Sequence, residues 1–263
     1  MPELPEVEHA VRVARDACQG KRLRAVRALH ASQRRSLPDE IANALTGDTV
    51  VAIDRRGKHQ LLRLASGRTL HVHFRMTGDW RVATVDDSAS RTTRVVLDFE
   101  DGTRLALDDA RALATVAVVS PGVDPCPDLG PEATDPAFNA EWLAHRLALR
   151  RGPIKPALLD QRLVAGIGNI YASESLWYAR IDPRRAANRL RQLQYRALAA
   201  GVKRAMQKAL ERPERYYGAL AVSDAVRFNV YQRDGKGCRR CRSPITRLVQ
   251  GGRSTYYCRQ CQR

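Results

Sequence analysis

Near its end the chain reads Cys238-Arg239-Arg240-Cys241 and, after sixteen intervening residues, Cys258-Arg259-Gln260-Cys261. Four of the six cysteines thus fall in the last 26 residues. Between the pairs, residues 245–249 and 254–257 are β-rich and flank Gln250-Gly251-Gly252, a turn sequence. The chain is expected to double back there and bring four thiolates around one tetrahedral Zn²⁺. Four sulfur ligands leave no position for water, so the metal is expected to be structural; an iron–sulfur centre is the alternative. Paired CxxC knuckles in a chain that opens without a secretory signal point to metal rather than disulfides. Cys18 and Cys126 stand alone and are expected to be buried or inert thiols.

Upstream of the hairpin the pattern is helical over 139–150, 153–161, 170–179 and 188–210. In the last of these Leu190, Leu193, Ala197, Val202, Ala205, Met206 and Ala209 form the expected core stripe. Five prolines between 120 and 136 (Pro121, Pro125, Pro127, Pro131, Pro136) mark a linker. Before it, short alternating segments at 23–29, 50–54, 60–65, 69–75, 81–84, 95–100, 104–107 and 115–119 read as strands. Arg56-Gly57, Ser66-Gly67 and Asp101-Gly102 supply turns between them. An amphipathic helix over 3–18 precedes them. The expected fold class is α+β with two domains: an antiparallel β-sandwich with an N-terminal helix, then a helical domain with a zinc-ribbon hairpin. The expected boundaries are 1–120 for the sandwich domain, 121–136 for the linker, 137–227 for the helical domain and 228–263 for the hairpin.

Lys and Arg number 45 against 28 acidic residues, a net charge of +17. That excess favours a polyanionic partner, because displacing counterions from phosphates drives association. No apolar run has the length needed to cross a bilayer. The acidic start lacks the basic-then-apolar order of a secretory signal, so a cytoplasmic protein, associated with the nucleoid through DNA, is expected.

Two further features carry chemistry. Removal of an initiator Met before proline exposes Pro2 as a secondary amine. An α-amino group titrates near 8, so its free-base fraction at pH 7 is roughly a few hundredfold that of a lysine. Such an amine can attack C1′ of a deoxyribose and form an iminium directly. Glu3 beside it is a proton donor; the plain alternative is that Pro-Glu only opens a helix. Gly166-Ile167-Gly168-Asn169 follows a helix rather than a strand, so it fails as a dinucleotide fingerprint. As a helix–two-turn–helix it offers a phosphate free N–H groups and the Asn169 amide, the plain alternative being a helical hairpin turn.

The opening Pro2-Glu3-Leu4-Pro5-Glu6-Val7-Glu8, the Arg55-Arg56-Gly57-Lys58 turn, Gly166–Glu174 and Tyr257-Cys258-Arg259-Gln260-Cys261 occur in unbroken order. Together they resemble the formamidopyrimidine-DNA glycosylase / endonuclease VIII family, bifunctional DNA glycosylase/AP lyases of base-excision repair. The resemblance covers residues 2 to 263 and makes 1–120 the catalytic domain. It implies Pro2 as Schiff-base nucleophile, Glu3 as proton donor, Lys58 as the β-elimination lysine and Arg259 as a DNA-gripping arginine that assists δ-elimination. Asn169, Arg151, Thr92 and Tyr231 fall at DNA-binding positions. Met76 matches a wedge that fills the gap left by an extruded base, and Arg111 the residue facing the orphaned partner base. The implied partner is double-stranded DNA with a damaged base or abasic site, met by a monomer.

Three departures bear on the lesion. The intercalating loop reads Asp109-Ala110-Arg111-Ala112-Leu113 where the purine-acting branch has Asp-Pro-Arg-Arg-Phe, and Thr92 stands in for a histidine. Residues 211–227 are shorter than the purine branch's lesion-capping loop, and 227–235 look nearer to the pyrimidine-acting branch, whereas Leu4 looks nearer to the purine one. Oxidised purines such as 8-oxoguanine and formamidopyrimidines are the expected substrates. The alternatives are an oxidised-pyrimidine enzyme of the endonuclease VIII type, a non-catalytic zinc-ribbon DNA-binding protein and a metal-dependent nuclease.

Overall fold

The computed structural model describes residues 2–211 and 228–263. The chain divides into two units, 1–127 and 128–263.

The first unit opens with α1 (Leu4–Cys18), whose Pro5 sits in the first turn, where a missing N–H costs no hydrogen bond. Val7, Ala10, Val11, Ala14 and Cys18 form its buried face, and Cys18 Sγ donates to Ala14 O at 3.0 Å. There follow β1 (Leu23–Ala28), α2 (Ala31–Arg34), α3 (Asp39–Asn43), β2 (Val50–Arg56), β3 (His59–Leu64), β4 (Thr69–His73), β5 (Gly78–Thr84), β6 (Thr93–Phe99), β7 (Thr103–Asp109) and β8 (Thr115–Val119). Two four-stranded antiparallel sheets result, ordered β1-β6-β7-β5 and β2-β3-β4-β8. Ile53, Leu62, Leu70, Val72 and Val116 of one sheet share a core with Val26, Val95, Leu97, Leu105 and Leu107 of the other. This is the expected sandwich. The short helices α2 and α3 were not expected; α2 is capped by the His30 imidazole, which accepts from Ser32 N at 3.2 Å.

The second unit contains α4 (Ala140–Leu147), α5 (Ile154–Leu158), α6 (Asn169–Ala179) and α7 (Gln192–Glu211), then β9 (Thr246–Gln250) and β10 (Arg253–Tyr257). Asn139 caps α4, its Oδ1 accepting from Trp142 N at 2.8 Å. One expectation fails: the last long helix begins at Gln192, not 188. Residues Ala187–Arg189 form a 3₁₀ turn and Leu190 is extended, with ψ at 138°. The helical face therefore shifts to Tyr195, Leu198, Ala199, Val202, Ala205, Met206 and Ala209, and Leu193 is 75% exposed. Gly201 lies against α6 so closely that a Cβ there would meet Ser175 O at 2.6 Å. The hairpin turns through Gly251 and Gly252, with φ of 53° and 72°, the left-handed pair a two-residue hairpin needs. No described helix is long and apolar enough to cross a membrane. The loop expected at 211–227 lies, apart from Glu211, outside the described residues, as does Met1.

Candidate functional site

In the first unit, Pro2 is half-buried and Glu3 3% exposed at the start of α1. Glu3 N donates to Glu6 Oε2 at 2.9 Å. Burial, with Glu3 beside it, pushes Glu6 up to about 8, so this carboxyl holds its proton at neutral pH. Lys58 is also buried and follows Gly57, whose φ is 57°. Two contacts join these elements. Arg55 Nε meets Glu8 Oε2 at 2.9 Å, with both side chains largely enclosed, and Arg15 donates to Ile53 O at 2.6 Å. Burial raises Glu8, but Arg55 and Arg12 outweigh it and hold its carboxyl below the usual range. The helix that follows Pro2 and Glu3 is thereby fastened to the β2–β3 hairpin that bears Lys58.

A second group gathers where β5 begins and β7 ends, since Gly78 pairs with Asp109. Met76 is 39% exposed and Leu113 43%, and Arg111 is exposed as well. Their support is Asp109, 1% exposed. Its carboxylate accepts from Thr77 Oγ1, Arg111 N at 3.1 Å, Leu113 N at 2.6 Å and Ala114 N at 2.7 Å. Burial raises this carboxyl, yet those donors outweigh it and hold it low. Arg94 Nε adds a bond to Asp109 O at 2.6 Å, and Thr92 O accepts from Asp109 N at 2.8 Å. Met76, Thr92, Arg111 and Leu113 are thus brought to one end of the sandwich by a buried aspartate.

In the second unit, Asn169 is the first residue of α6, after Gly166 with φ of 90°. Gln161 braces the turn, accepting from Gly166 N at 3.0 Å and donating to Ile167 O at 2.9 Å. Lys155, 1% exposed, donates to Asn169 Oδ1 at 2.6 Å, Ser254 O at 3.0 Å and Thr255 Oγ1 at 2.8 Å. Asn169 Nδ2 also reaches Ser254 O, at 3.0 Å. This buried ammonium ties the turn to β10. Glu174, likewise buried, accepts from Asn229, Val230 and Tyr231 N–H groups at 2.8–3.1 Å. Tyr231 packs edge-on against Phe228 and Tyr256, inside the hairpin's own cluster. Arg151 and Arg259 are exposed.

The cysteines meet as their spacing requires. Cys238 and Cys261 sulfurs lie 4.0 Å apart, Cys241 and Cys258 sulfurs 3.5 Å, bracketing the roughly 3.8 Å edge of a tetrahedron with Zn–S bonds of about 2.3 Å. The donor set fits zinc, and these residues hold one structural ion. Trp177 Nε1 and Arg240 N each donate to Cys238 Sγ at 3.4 Å, and the Arg240 guanidinium lies 4.1 Å above the Trp177 ring. The Trp177 bond orients the thiolate from α6, and the Arg240 bond does so from within the knuckle.

Three family models match consecutive stretches: the formamidopyrimidine-DNA glycosylase N-terminal domain over 1–116, its H2TH domain over 129–217, and the zinc finger found in FPG and IleRS over 235–263. The formamidopyrimidine-DNA glycosylase of Chloroflexus aurantiacus is 39% identical, covering 100% of this chain and 98% of that protein. The chain belongs to the formamidopyrimidine-DNA glycosylase family. Another family member, from Ligilactobacillus salivarius, is 36% identical over 100% of this chain and 99% of its own length. A Lactococcus lactis formamidopyrimidine-DNA glycosylase bound non-covalently to DNA with an abasic site superposes with a TM-score of 0.89 at 31% identity, covering 99% of each chain. The same organism's enzyme in complex with DNA containing Fapy-dG gives 0.90 at 30% identity, again over 99% of each chain.

Sequence reasoning gave no role to the supports. Lys155 and Glu174 act through partners 55 to 100 residues away, and only their charge at positions the fold buries marks them; Asp109 binds mostly its own loop, and Arg94 reaches it from the neighbouring strand.

Proposed function

We propose that this chain is a bifunctional DNA glycosylase and abasic-site lyase of base-excision repair that acts on oxidised purines, including formamidopyrimidines, in duplex DNA. The observation that carries the reading is the anchoring of α1 to the Lys58 hairpin through Glu8 and Arg55, with Glu3 buried beside Pro2. The relatives seen with Fapy-dG or abasic-site DNA support this substrate class.

Pro2, as the free amine of the mature chain, attacks C1′ of the damaged nucleotide while Glu3 protonates the opening sugar. The base leaves and an iminium links enzyme and DNA. Lys58 assists β-elimination and Arg259 the δ step, so the sugar–phosphate backbone is cut on both sides. Met76, Arg111 and Leu113 fill the space from which the nucleotide has swung; a damaged base lowers the few kcal/mol that unstacking costs. Asn169, Arg151 and Thr92 serve phosphates, whereas Tyr231 contributes through the packing of the hairpin. The zinc holds Arg259 in place and takes no part in bond cleavage.

Borohydride trapping on abasic-site duplex tests the mechanism. Wild-type chain is expected to give a covalent adduct, lost when residues are added before Pro2 while much of the DNA affinity remains. An undiminished adduct with a blocked terminus overturns the role of Pro2; binding with no adduct at all leaves a DNA-binding protein. Incision of duplexes carrying 8-oxoguanine, formamidopyrimidine, thymine glycol or dihydrouracil tests the lesion class, and preferential cutting at the last two overturns the purine assignment.

A further inference from the structure

A second cluster of metal-ligating side chains lies in the first unit, away from the cysteine hairpin. His59 and His73 oppose each other across the β3–β4 ladder, and His71 lies two residues back along β4, on the same face. That face points out of the sandwich, since the alternating Gln60, Leu62, Leu70 and Val72 are fully buried inside. Cys126 reaches it from the segment that follows β8, the neighbour of β4; Asp124 Oδ1 accepts from Cys126 N at 2.8 Å and fixes that turn. His59 Nδ1 lies 2.7 Å from His71 Nε2, and Cys126 Sγ lies 3.9 Å from the same His71 nitrogen. One ligand atom from each of the three residues falls within 4.8 Å of the other two.

We infer that His59, His71 and Cys126 form a second zinc-binding site, separate from the four-cysteine centre, which takes Zn²⁺ through two imidazole nitrogens and one thiolate. With Zn–N near 2.0–2.1 Å and Zn–S near 2.3 Å, tetrahedral ligand atoms stand roughly 3.3–3.6 Å apart. The contacts of 2.7 and 3.9 Å bracket that spacing, so small side-chain rotations bring all three onto one ion. A hydrogen-bonded imidazole pair accounts for the first contact alone; it gives no reason for a buried thiol to converge on the same nitrogen from a third segment. Binding converts the Cys126 thiol to a zinc thiolate and releases one proton to solvent; the fourth position goes to a water molecule. The surrounding cationic side chains oppose a dication, so this site binds more weakly than the four-thiolate centre. Once filled, it clamps the segment after β8 onto β3 and β4.

The test counts zinc on the full chain, equilibrated with buffered micromolar free Zn²⁺ and analysed by elemental mass spectrometry. Wild type is expected to retain a second zinc ion that His71→Asn and Cys126→Ser both lose while keeping the first. Added Zn²⁺ should raise the wild-type melting temperature and leave those of the two variants unchanged. Co²⁺ added to chain carrying zinc in the four-cysteine centre alone should give a near-ultraviolet thiolate-to-cobalt band that is absent from C126S. The inference is overturned if wild type and variants carry the same zinc content, or if a second ion survives both substitutions and is therefore adventitious. Should either variant fail to fold, wild type alone decides: zinc must slow modification of Cys126 by a small thiol reagent, and equal rates with and without zinc sink the site.

Discussion

A residue's environment can invert its ordinary chemistry, and Glu6 is the instance here. Its carboxyl is raised from 4.5 to about 8 by burial and by Glu3. Above about 4.5 the unfolded chain releases this proton while the folded chain keeps it. Folding stability from this group is therefore fully present below about 4.5 and lost as pH rises towards 8. Glu6→Gln keeps an acceptor for Glu3 N but cannot ionise. Its melting temperature should fall less than that of wild type between pH 5 and 8, with the gap widening as pH rises. Parallel melting curves across that window would mean that Glu6 titrates normally. At this scale legibility depends on sequence distance. The four zinc cysteines were readable because CxxC spacing is local. Lys155 was not readable, since its acceptors Ser254 and Thr255 lie a hundred residues away. Nor was the approach of Cys126, buried as expected, to His71, because only the β3–β4 register and the turn after β8 bring the two together.

Among elements, alternation located the strands well and their ends poorly. Thr93, paired with Asp108, and Thr103, paired with Thr84, extend β6 and β7 at positions that no apolar residue announces. Helix α7 was placed too early because Leu190 completes an apolar stripe while the backbone there is extended. Its packing gives a direct test. A Cβ added at Gly201 would sit 2.6 Å from Ser175 O, so Gly201→Ala must push α6 and α7 apart at about 1–3 kcal/mol, against roughly 1 kcal/mol gained in helix propensity. A net loss of up to about 2 kcal/mol, lowering the melting temperature by up to about 8 °C, is expected; a stabilised variant would show that the helices part freely. The hairpin depends on its metal instead. Cys258→Ser removes one of four thiolates, so zinc content, DNA affinity and lyase activity should fall together, while the sandwich core, which contains none of the ligands, keeps its near-ultraviolet dichroism. Undiminished affinity in a zinc-free variant would contradict the hairpin's part in binding.

At the scale of the molecule, a charge of +17 over 263 residues makes salt the sharpest probe of how DNA is held. Each neutralised phosphate contributes about −0.9 to the slope of log affinity against log salt, so six to ten contacts weaken binding roughly 10³- to 10⁵-fold between about 50 and 200 mM. Removal of one phosphate-contacting arginine lowers that slope by about one and affects all lesions alike. Arg259, exposed between two zinc ligands, is the residue on which to measure it, by titrating wild type and Arg259→Ala against the same abasic-site duplex at several salt concentrations. Zinc content must match in the two proteins, because a collapsed hairpin would remove its other arginines as well and drop the slope by several. A slope lower by about one, with zinc retained, assigns Arg259 to a phosphate. An unchanged slope with slower strand cutting would move it from holding DNA to the elimination step alone.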